Sequence, residues 1–387
     1  MMNCRSCSTE MKKPFLSLGM SPLSNRFLSN QNVSAMEPFF PLETFVCPKC
    51  FMVQLDSFEA PENIFSDYVY FSSYSTSWLE HAKKYSEKMI QERNLNSQSM
   101  VVEIASNDGY LLQYFHQQQI PVLGIEPAAN VAAVAEKERG VRSLSEFFSE
   151  KLAEKLAKEG FQADLMAANN VLAHVPNLND FVRGFKKLLK PTGIATFEFP
   201  HLMNMIEENQ FDTIYHEHFS YFSLLAIAPV FARAGLQVYD VEQLPTHGGS
   251  LRLFVKHQEN SELKETAAVQ ALIEKEKKLG YANLEFYDKY REKVEAVKRD
   301  FLEFLIKAKR DGKKVLAYGA AAKGNTLLNF CGVREDFIDF VADRNPHKQN
   351  KFLPGVHIPV LSVDELMLAK PDYVVVLPWN LRNEIQT

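Results

Sequence analysis

The sequence predicts an α/β protein: a cysteine-rich N-terminal module, a central Rossmann-like domain and a second, C-terminal Rossmann-like α/β domain. Three observations predict it. From about residue 75 to 256, short apolar runs alternate with amphipathic stretches, as in a parallel sheet with helices on both faces. After a charged stretch at 258–312 the alternation resumes with KVLAYGAAAKGNTLLNF, IDFVADRNPHKQNKFLPG and PDYVVVLPWN. Ahead of both, four of the five cysteines fall within the first 50 residues. Boundaries are expected at 1–74, 75–257 and 258–387.

With 387 residues, 46% of them apolar, the chain can build two or three cores. Its net charge of −5 is spread over interleaved acids and bases, which argues against a nucleic-acid partner or a membrane surface. No apolar run reaches spanning length and MMNCRSCSTE has no signal-peptide core, so a soluble cytoplasmic protein is expected. Its cysteines are then thiols or metal ligands rather than disulfides.

The first module carries CRSC (Cys4, Cys7) and CPKC (Cys47, Cys50). Two Cys-x-x-Cys knuckles complete a tetrahedron of thiolates, a closed structural zinc site with no position for an activated water. Residues 8–46 are expected as a loop-rich insert between the knuckles. Cys331 stands apart and reads as a small buried apolar residue.

The central unit should open with a helix through Trp78, Ala82, Tyr85 and Met89, capped by Ser77 and Glu80. Strands are expected at 100–105, 121–126, 163–168 and 193–199, then a helix near 222–234 and a closing pair at 236–244 and 250–257. That closing pair is what a class I S-adenosylmethionine (SAM) methyltransferase adds to a Rossmann-like sheet. The first strand ends VVEIASNDGYLL, where Glu103 precedes a turn of Ala105, Ser106 and Asn107, with Gly109 and Tyr110 following. Glu126, 23 residues after Glu103 and followed by Pro127, stands where an acid accepts ribose hydroxyls. A dehydrogenase would share that acid but would need G-x-G-x-x-G to admit a pyrophosphate. SAM has no phosphate, so a glycine-poor loop of small polar groups suits it better. SLSEFF offers Phe147 to stack on adenine, with Ser145 or Glu146 for a ring nitrogen. NNVLAHV places Asn169, Asn170 and His174 where methyl donor and acceptor would meet; His174 reads equally well as a satisfied semi-buried histidine.

The charged stretch 258–312 reads as a solvated pair of helices. Beyond it, LAYGAAAKGNTLL offers small residues, Gly319, Lys323, Asn325 and a helix N-terminus, an anion cradle that lacks the Walker order. Asp343 ends the next strand, again at a ribose position. A second nucleotide-type site, this one with phosphate character, is expected there.

DTIYHEHFSY (212–221) then stands out. As a strand it would put Tyr215 and Glu217 on one face and His216 and His218 on the other; as a helix, Tyr215 and His218 would align. Either way two or three of the four reach one pocket. H-x-H with a carboxylate could hold a metal, but H-E-x-x-H spacing is missing and no third ligand is evident. A purely structural cluster is the remaining reading.

CRSC, CPKC, SPLSNRFL, YFSSYS, VVEIASNDGYLL, GIEPAANVA, NNVLAHV, YHEHFSYFSL, HGGSLRLFV, YGAAAKGNTLLNF, DRNPHKQNKFLPG and VVVLPWN together make the chain resemble, nearly end to end, the nucleotide-sugar C-methyltransferases that make branched deoxysugars. The resemblance implies SAM, a structural zinc, a monomer, and a nucleoside-diphosphate keto-sugar substrate, most commonly thymidine-linked. It implies methylation beside the ketone, with His218 as base, Tyr215 and Glu217 beside it, and His216 and Tyr221 of the same segment as substrate contacts. It makes YVYFSSYS, with Tyr70 and Tyr74, a lid over the sugar. His247 and Gly248, with Gly249, become acceptor contacts between the last two central strands. Family members continue past the PWN strand with a helix and another strand, so the stop at NLRNEIQT implies a naturally short or a truncated chain. Two other classes remain: a zinc-ribbon methyltransferase acting on RNA or protein, which predicts a basic face, and a non-catalytic assembly protein, which predicts no SAM affinity.

Overall fold

The computed structural model describes residues 2–59 and 71–386. In the first module β1 (Met2–Asn3) pairs with β2 (Glu10–Met11), and β3 (Leu16–Ser21), β4 (Phe40–Val46) and β5 (Val53–Leu55) form an antiparallel sheet. The insert between the knuckles is loop-rich, as expected, with β2, β3 and β4 set between the loops. Alternation along β3 buries Leu16 and Leu18 and exposes Ser17 and Gly19, the period-two pattern of a one-sided sheet.

The central sheet contains β6 (Val101–Ile104), β7 (Val122–Ile125), β8 (Ser143–Leu144), β9 (Ala163–Asn169) and β10 (Leu189–Pro200). After β11 (Ser220–Tyr221) it closes with β12 (Leu236–Leu244) and β13 (Ser250–His257). The order is β12-β13-β10-β9-β6-β7-β8, with β13 antiparallel to both neighbours and the remaining pairs parallel. Val101, Val102, Leu165, Met166, Ala195 and Phe197 are fully buried, as strands covered on both faces require. β11 does not join this sheet. It pairs with β5, Ser220 opposite Gln54 and Tyr221 opposite Val53, so the module's sheet gains a strand from the YHEHFSY segment.

The helix Thr76–Arg93 buries Trp78, Ala82, Tyr85 and Met89 as its period predicts. Its cap is Ser75 rather than Ser77: the Ser75 hydroxyl accepts from Trp78 N–H at 3.3 Å, placing the helix start two residues earlier. The charged stretch forms helices Ala267–Leu279, Leu284–Asp288 and Tyr290–Arg310, and these are not simply solvated. Tyr281, Tyr287 and Tyr290 are buried, and their hydroxyls donate to the carbonyls of Met203, Tyr281 and Met205. Buried Glu276 accepts from the N–H groups of Leu224 and Leu225, capping the helix Leu224–Arg233.

The last sheet holds β14 (Val315–Tyr318), β15 (Val341–Ala342), β16 (Lys351–Phe352), β17 (Pro359–Leu361) and β18 (Tyr373–Val376), ordered β16-β17-β15-β14-β18 and parallel except for β16. Cys331 is buried beneath it, as expected.

Candidate active site

Ligands of parallel sheets bind beyond the carboxyl ends of the strands. Here the carboxyl edges of two sheets look onto one cavity of about 500 Å³. The central sheet contributes the loops after β6, β7 and β9, and the last sheet contributes the loops after β14 and β15.

The loop after β6 explains how a glycine-poor sequence makes a close cofactor turn. Ala105, Asn107 and Gly109 are left-handed, with φ of 55°, 49° and 76°, so every second residue takes the conformation glycine favours. Asn tolerates this region well, whereas Ala accepts strain of about 1–2 kcal/mol. Glu126 lines the cavity and accepts from the N–H groups of Asn107 and Ala128, each at 2.9 Å. Burial raises its pKa above the usual carboxylate value. Ala105, Asn107, Tyr110, Pro127, Phe147, Asn169 and Asn170 also line the cavity. Glu103, Ser106 and Gly109 do not. Glu103 lies fully buried beneath the loop, its pKa pushed well up by burial, with the Tyr110 hydroxyl beside it. Ser106 is buried against Gly124, and a Cβ added to Gly109 would lie 3.2 Å from Ala135 and Val141. These three shape the turn from behind. A cavity-lining acid at a strand end, an open turn and the half-exposed Phe147 ring together fit an adenosyl group.

The segment Tyr215–His218 is neither strand nor helix but a turn, closed by His218 N–H to Tyr215 O at 2.9 Å. Tyr215, Glu217 and His218 line the cavity. His216 is turned the other way, hydrogen-bonded to Pro41 O at 3.1 Å and packed on Phe40 and Phe58, so the substrate contact expected of it is not formed. His218 Nδ1–H donates to Thr213 O at 2.9 Å, which leaves Nε2 as acceptor for the Tyr215 hydroxyl at 2.9 Å. The tautomer is therefore set by a carbonyl and not by the Glu217 carboxylate. Burial, and then the neighbouring His174, hold His218 well below the ordinary imidazole pKa. His174 Nδ1–H donates to Glu217 O at 2.7 Å, its ring 4.7 Å from that of His218, and burial pushes its pKa down to about 4. His247, left-handed at φ 53°, accepts from Asn170 Nδ2 at 3.0 Å.

Lys323 lies on the first turn of the helix Ala322–Cys331 and lines the cavity, with its ammonium 2.7 Å from Asn380 Oδ1 and over the Trp379 ring. Burial depresses its pKa. Lys348, from the loop after β15, also lines the cavity and is likewise depressed by burial.

Several expected substrate contacts are not brought to the cavity. Tyr221 is buried behind His218, their rings 6.1 Å apart. A Cβ on Gly248 would lie 2.4 Å from Trp379, so this glycine permits close packing between the central and last sheets; one on Gly319 would lie 2.4 Å from Pro378, a close approach within the last sheet's own loops. Asn325 is fully buried in its helix, and Asp343 is engaged by the N–H groups of Ala320 and Asn345. Tyr74 is exposed, and Tyr70 lies outside the described residues. Of the expected lid, Ser72 lines the cavity and its N–H donates to Asn107 Oδ1 at 2.8 Å; the Ser73 hydroxyl bonds Asp108.

Of the lining residues that the sequence does not single out as site residues, four bear on the chemistry. Trp78 was read as a helix-core residue, although its ring also packs 5.1 Å from that of His247. Thr213 sits just ahead of the turn. Lys348 follows Asp343 by five residues in the same strand-end loop, a signal that was present. Asn25 comes from the first module, within SPLSNRFL, a motif of the resemblance to which no role was attached.

In the first module the sulfur atoms of Cys4, Cys7, Cys47 and Cys50 all lie within 4.8 Å of one another, with pairs at 3.5–3.6 Å. Zn–S bonds of about 2.3 Å in a tetrahedron separate sulfurs by about 3.8 Å, so the four fit a closed zinc site.

Comparisons with known proteins agree with these features. A zinc binding domain matches residues 4–65, a methyltransferase domain matches 78–241, and a C-methyltransferase C-terminal domain matches 245–387. C-methyltransferase NovU of Streptomyces niveus is 34% identical over 382 residues, covering 99% of this chain and 90% of that protein. Among solved structures, magnesium protoporphyrin IX methyltransferase of Synechocystis PCC 6803 with bound SAH is 13% identical, covering 46% of this chain and 82% of that one, with a TM-score of 0.37. Burkholderia thailandensis 1,6-didemethyltoxoflavin-N1-methyltransferase is 16% identical, covering 53% and 94%, with a TM-score of 0.38. Among the described residues no helix is long and apolar enough to cross a membrane.

Proposed function

The chain belongs to the zinc-containing, SAM-dependent C-methyltransferases, and on that premise we propose that it methylates the carbon beside the ketone, C-3, of a nucleoside-diphosphate 4-keto-deoxysugar. The observation that carries this reading is the facing of the two sheet edges. One offers a cofactor turn and Glu126, the other offers Lys323 and Lys348 to a diphosphate, and the His174–Tyr215–His218 cluster lies on the same cavity.

His218 Nε2 is the base, exchanging the Tyr215 hydroxyl for the α C–H of the sugar. The C–H electron pair becomes the enolate, and the proton stays on the imidazole. Histidine falls short of such a carbon acid by about ten pKa units or more, on the order of 14 kcal/mol. Positioning a base supplies about 10²–10⁴ in rate, so the enolate oxygen must also be stabilised. The released Tyr215 hydroxyl donates to that oxygen, worth about 3–4 kcal/mol. Bound SAM would supply an electrophilic methyl group, whose bond to sulfur breaks as the enolate carbon takes it up, leaving S-adenosylhomocysteine. Glu126, Asn107, Pro127 and Phe147 would hold its adenosyl portion, with Asn169 and Asn170 beside the methyl-donor end. The carrier nucleotide is thymidine diphosphate and the enzyme works as a monomer, readings that the resemblance supports; a cytoplasmic location and domain divisions at residues 74 and 257 rest on the sequence pattern.

The test is mass spectrometry of 4-keto-6-deoxysugar nucleotides incubated with enzyme and SAM, over a panel varying the base and the 2- and 3-substituents. The expected product is heavier by one methylene. A panel in which SAM binds but no sugar gains mass would remove the proposed substrate class.

A further inference from the structure

The cysteine module reaches into the reaction cavity. After β3 the chain runs through a loop fastened on both sides. Leu28 pairs with Phe352 of the last sheet through two backbone hydrogen bonds, and Glu37 accepts from Gly355 N–H and His357. Between β3 and Leu28, Asn25 lines the cavity, and its Nδ2 donates to Glu217 Oε2 at 2.7 Å. Two residues on, the Phe27 ring lies beneath the Lys348 ammonium, 5.4 Å away. Lys348 donates to Ala320 O at 2.8 Å, with Asp343 4.0 Å behind it. One carboxyl is thus met by a donor from the first module and faced by a cation from the last sheet.

We infer that Asn25 is a positioning residue of the transfer reaction: from the zinc module it holds the Glu217 carboxyl in a single orientation toward the sugar, opposite Lys348. This rests on the substrate reading above for what the carboxyl recognises, a hydroxyl or amino substituent of the sugar, but not for the hold itself. The charged and titratable groups around Glu217 are few. Lys348 faces it from the last sheet, His174 bonds its main-chain carbonyl, and Tyr215 and His218 share its turn. Burial pushes the Glu217 carboxyl up to about 7, against the pull of the Asn25 N–H groups. A group poised there responds measurably to loss of one donor.

The first arm of the test needs no substrate. Carboxyl-¹³C glutamate labelling, with the Glu217 resonance identified by its absence in Glu217→Gln, gives the titration midpoint in the zinc-loaded enzyme. Asn25→Ala removes a donor that favours the charged form, so the midpoint should rise by about one unit. Should that variant fail to fold, the isosteric Asn25→Asp, which sets a second acid against the first, should raise it further. The second arm is kinetic. Asn25→Ala should lower kcat/KM for the sugar about tenfold with SAM affinity unchanged, and should cost nothing more in the Glu217→Gln background. An unmoved midpoint in a folded variant, or effects that simply add, would overturn the inference. A moved midpoint in an enzyme whose wild type turns over no keto-sugar would instead reject the substrate reading.

Discussion

His218 is held neutral and oriented at both ring nitrogens, Nδ1–H on the Thr213 carbonyl and Nε2 under the Tyr215 hydroxyl. A base used this way needs its lone pair presented in one tautomer, and a carbonyl fixes that without adding charge. His218→Asn should therefore lower kcat by about 10²–10⁴, measured by product formation, while calorimetry finds SAM affinity unchanged. Glu217 makes a separate prediction. Its folded pKa of about 7 lies above the ordinary carboxylate value of 4.5, so between those pH values the folded chain keeps a proton that the unfolded chain has lost. Stability contributed by this group falls as pH rises through that window, by about 3 kcal/mol in all. His174 and His247, both depressed to about 4, act oppositely and lose stability as pH falls from 6.5. Denaturant titrations of wild type and Glu217→Gln should thus differ by a slope confined to pH 4.5–7, the mutant gaining relative stability as pH rises. At this scale the tyrosine, glutamate and second histidine of YHEHFSY were legible as a cluster. Which side chain faced inward was not, because a turn obeys neither strand nor helix periodicity, and His216 went outward to the Pro41 carbonyl.

Among the elements, β11 matters most to the chemistry. It leaves the central domain to pair with β5, and Arg5 Nη1 adds bonds to the carbonyls of Leu55 and Phe219. The zinc module thereby grips the chain two residues after His218. Removing zinc by chelation should abolish methyl transfer while SAM binding, which we propose uses the loops after β6 and β7, persists; parallel turnover and calorimetry would show the split. Glycines at close approaches make the complementary prediction. Gly319, at φ +87°, leaves no room for a Cβ beside the Pro378 ring, so Gly319→Ala should destabilise the chain by about 2 kcal/mol in denaturant unfolding. The central strands were readable from apolar runs and turn residues, and all six expected in the central domain form. The β5–β11 pairing was not readable, since it joins segments some 165 residues apart and a two-residue strand has no pattern of its own. The alternating left-handed residues after β6 were legible only as small and polar, because Ala105 gives no sign that it occupies a glycine conformation.

For the whole molecule, two sheets with facing carboxyl edges explain why so long a chain serves one transfer. The central edge brings the turn after β6 and Glu126 proposed for the cofactor, and the last edge brings Lys323 and Lys348, two buried ammonium groups on the same cavity. Replacing either with Met should raise KM for the nucleotide sugar by about tenfold or more and leave KM for SAM unchanged, in initial-rate kinetics. Two Rossmann-like units and a four-cysteine module could be read from the chain. That Asn25 of the first, Glu217 of the second and Lys348 of the third meet at one carboxyl could not, because nothing local in a sequence records contacts between domains.

The proposed chemistry turns on removal of a proton from the carbon beside the ketone by His218. Hydrogen exchange at that carbon tests it most directly, followed by NMR in deuterium oxide with S-adenosylhomocysteine in the cofactor site. The account predicts that the wild-type enzyme incorporates deuterium at that single carbon and that His218→Asn slows the exchange at least about a hundredfold. Exchange undiminished in His218→Asn, or methylation by a wild-type enzyme that exchanges no hydrogen there, would contradict it.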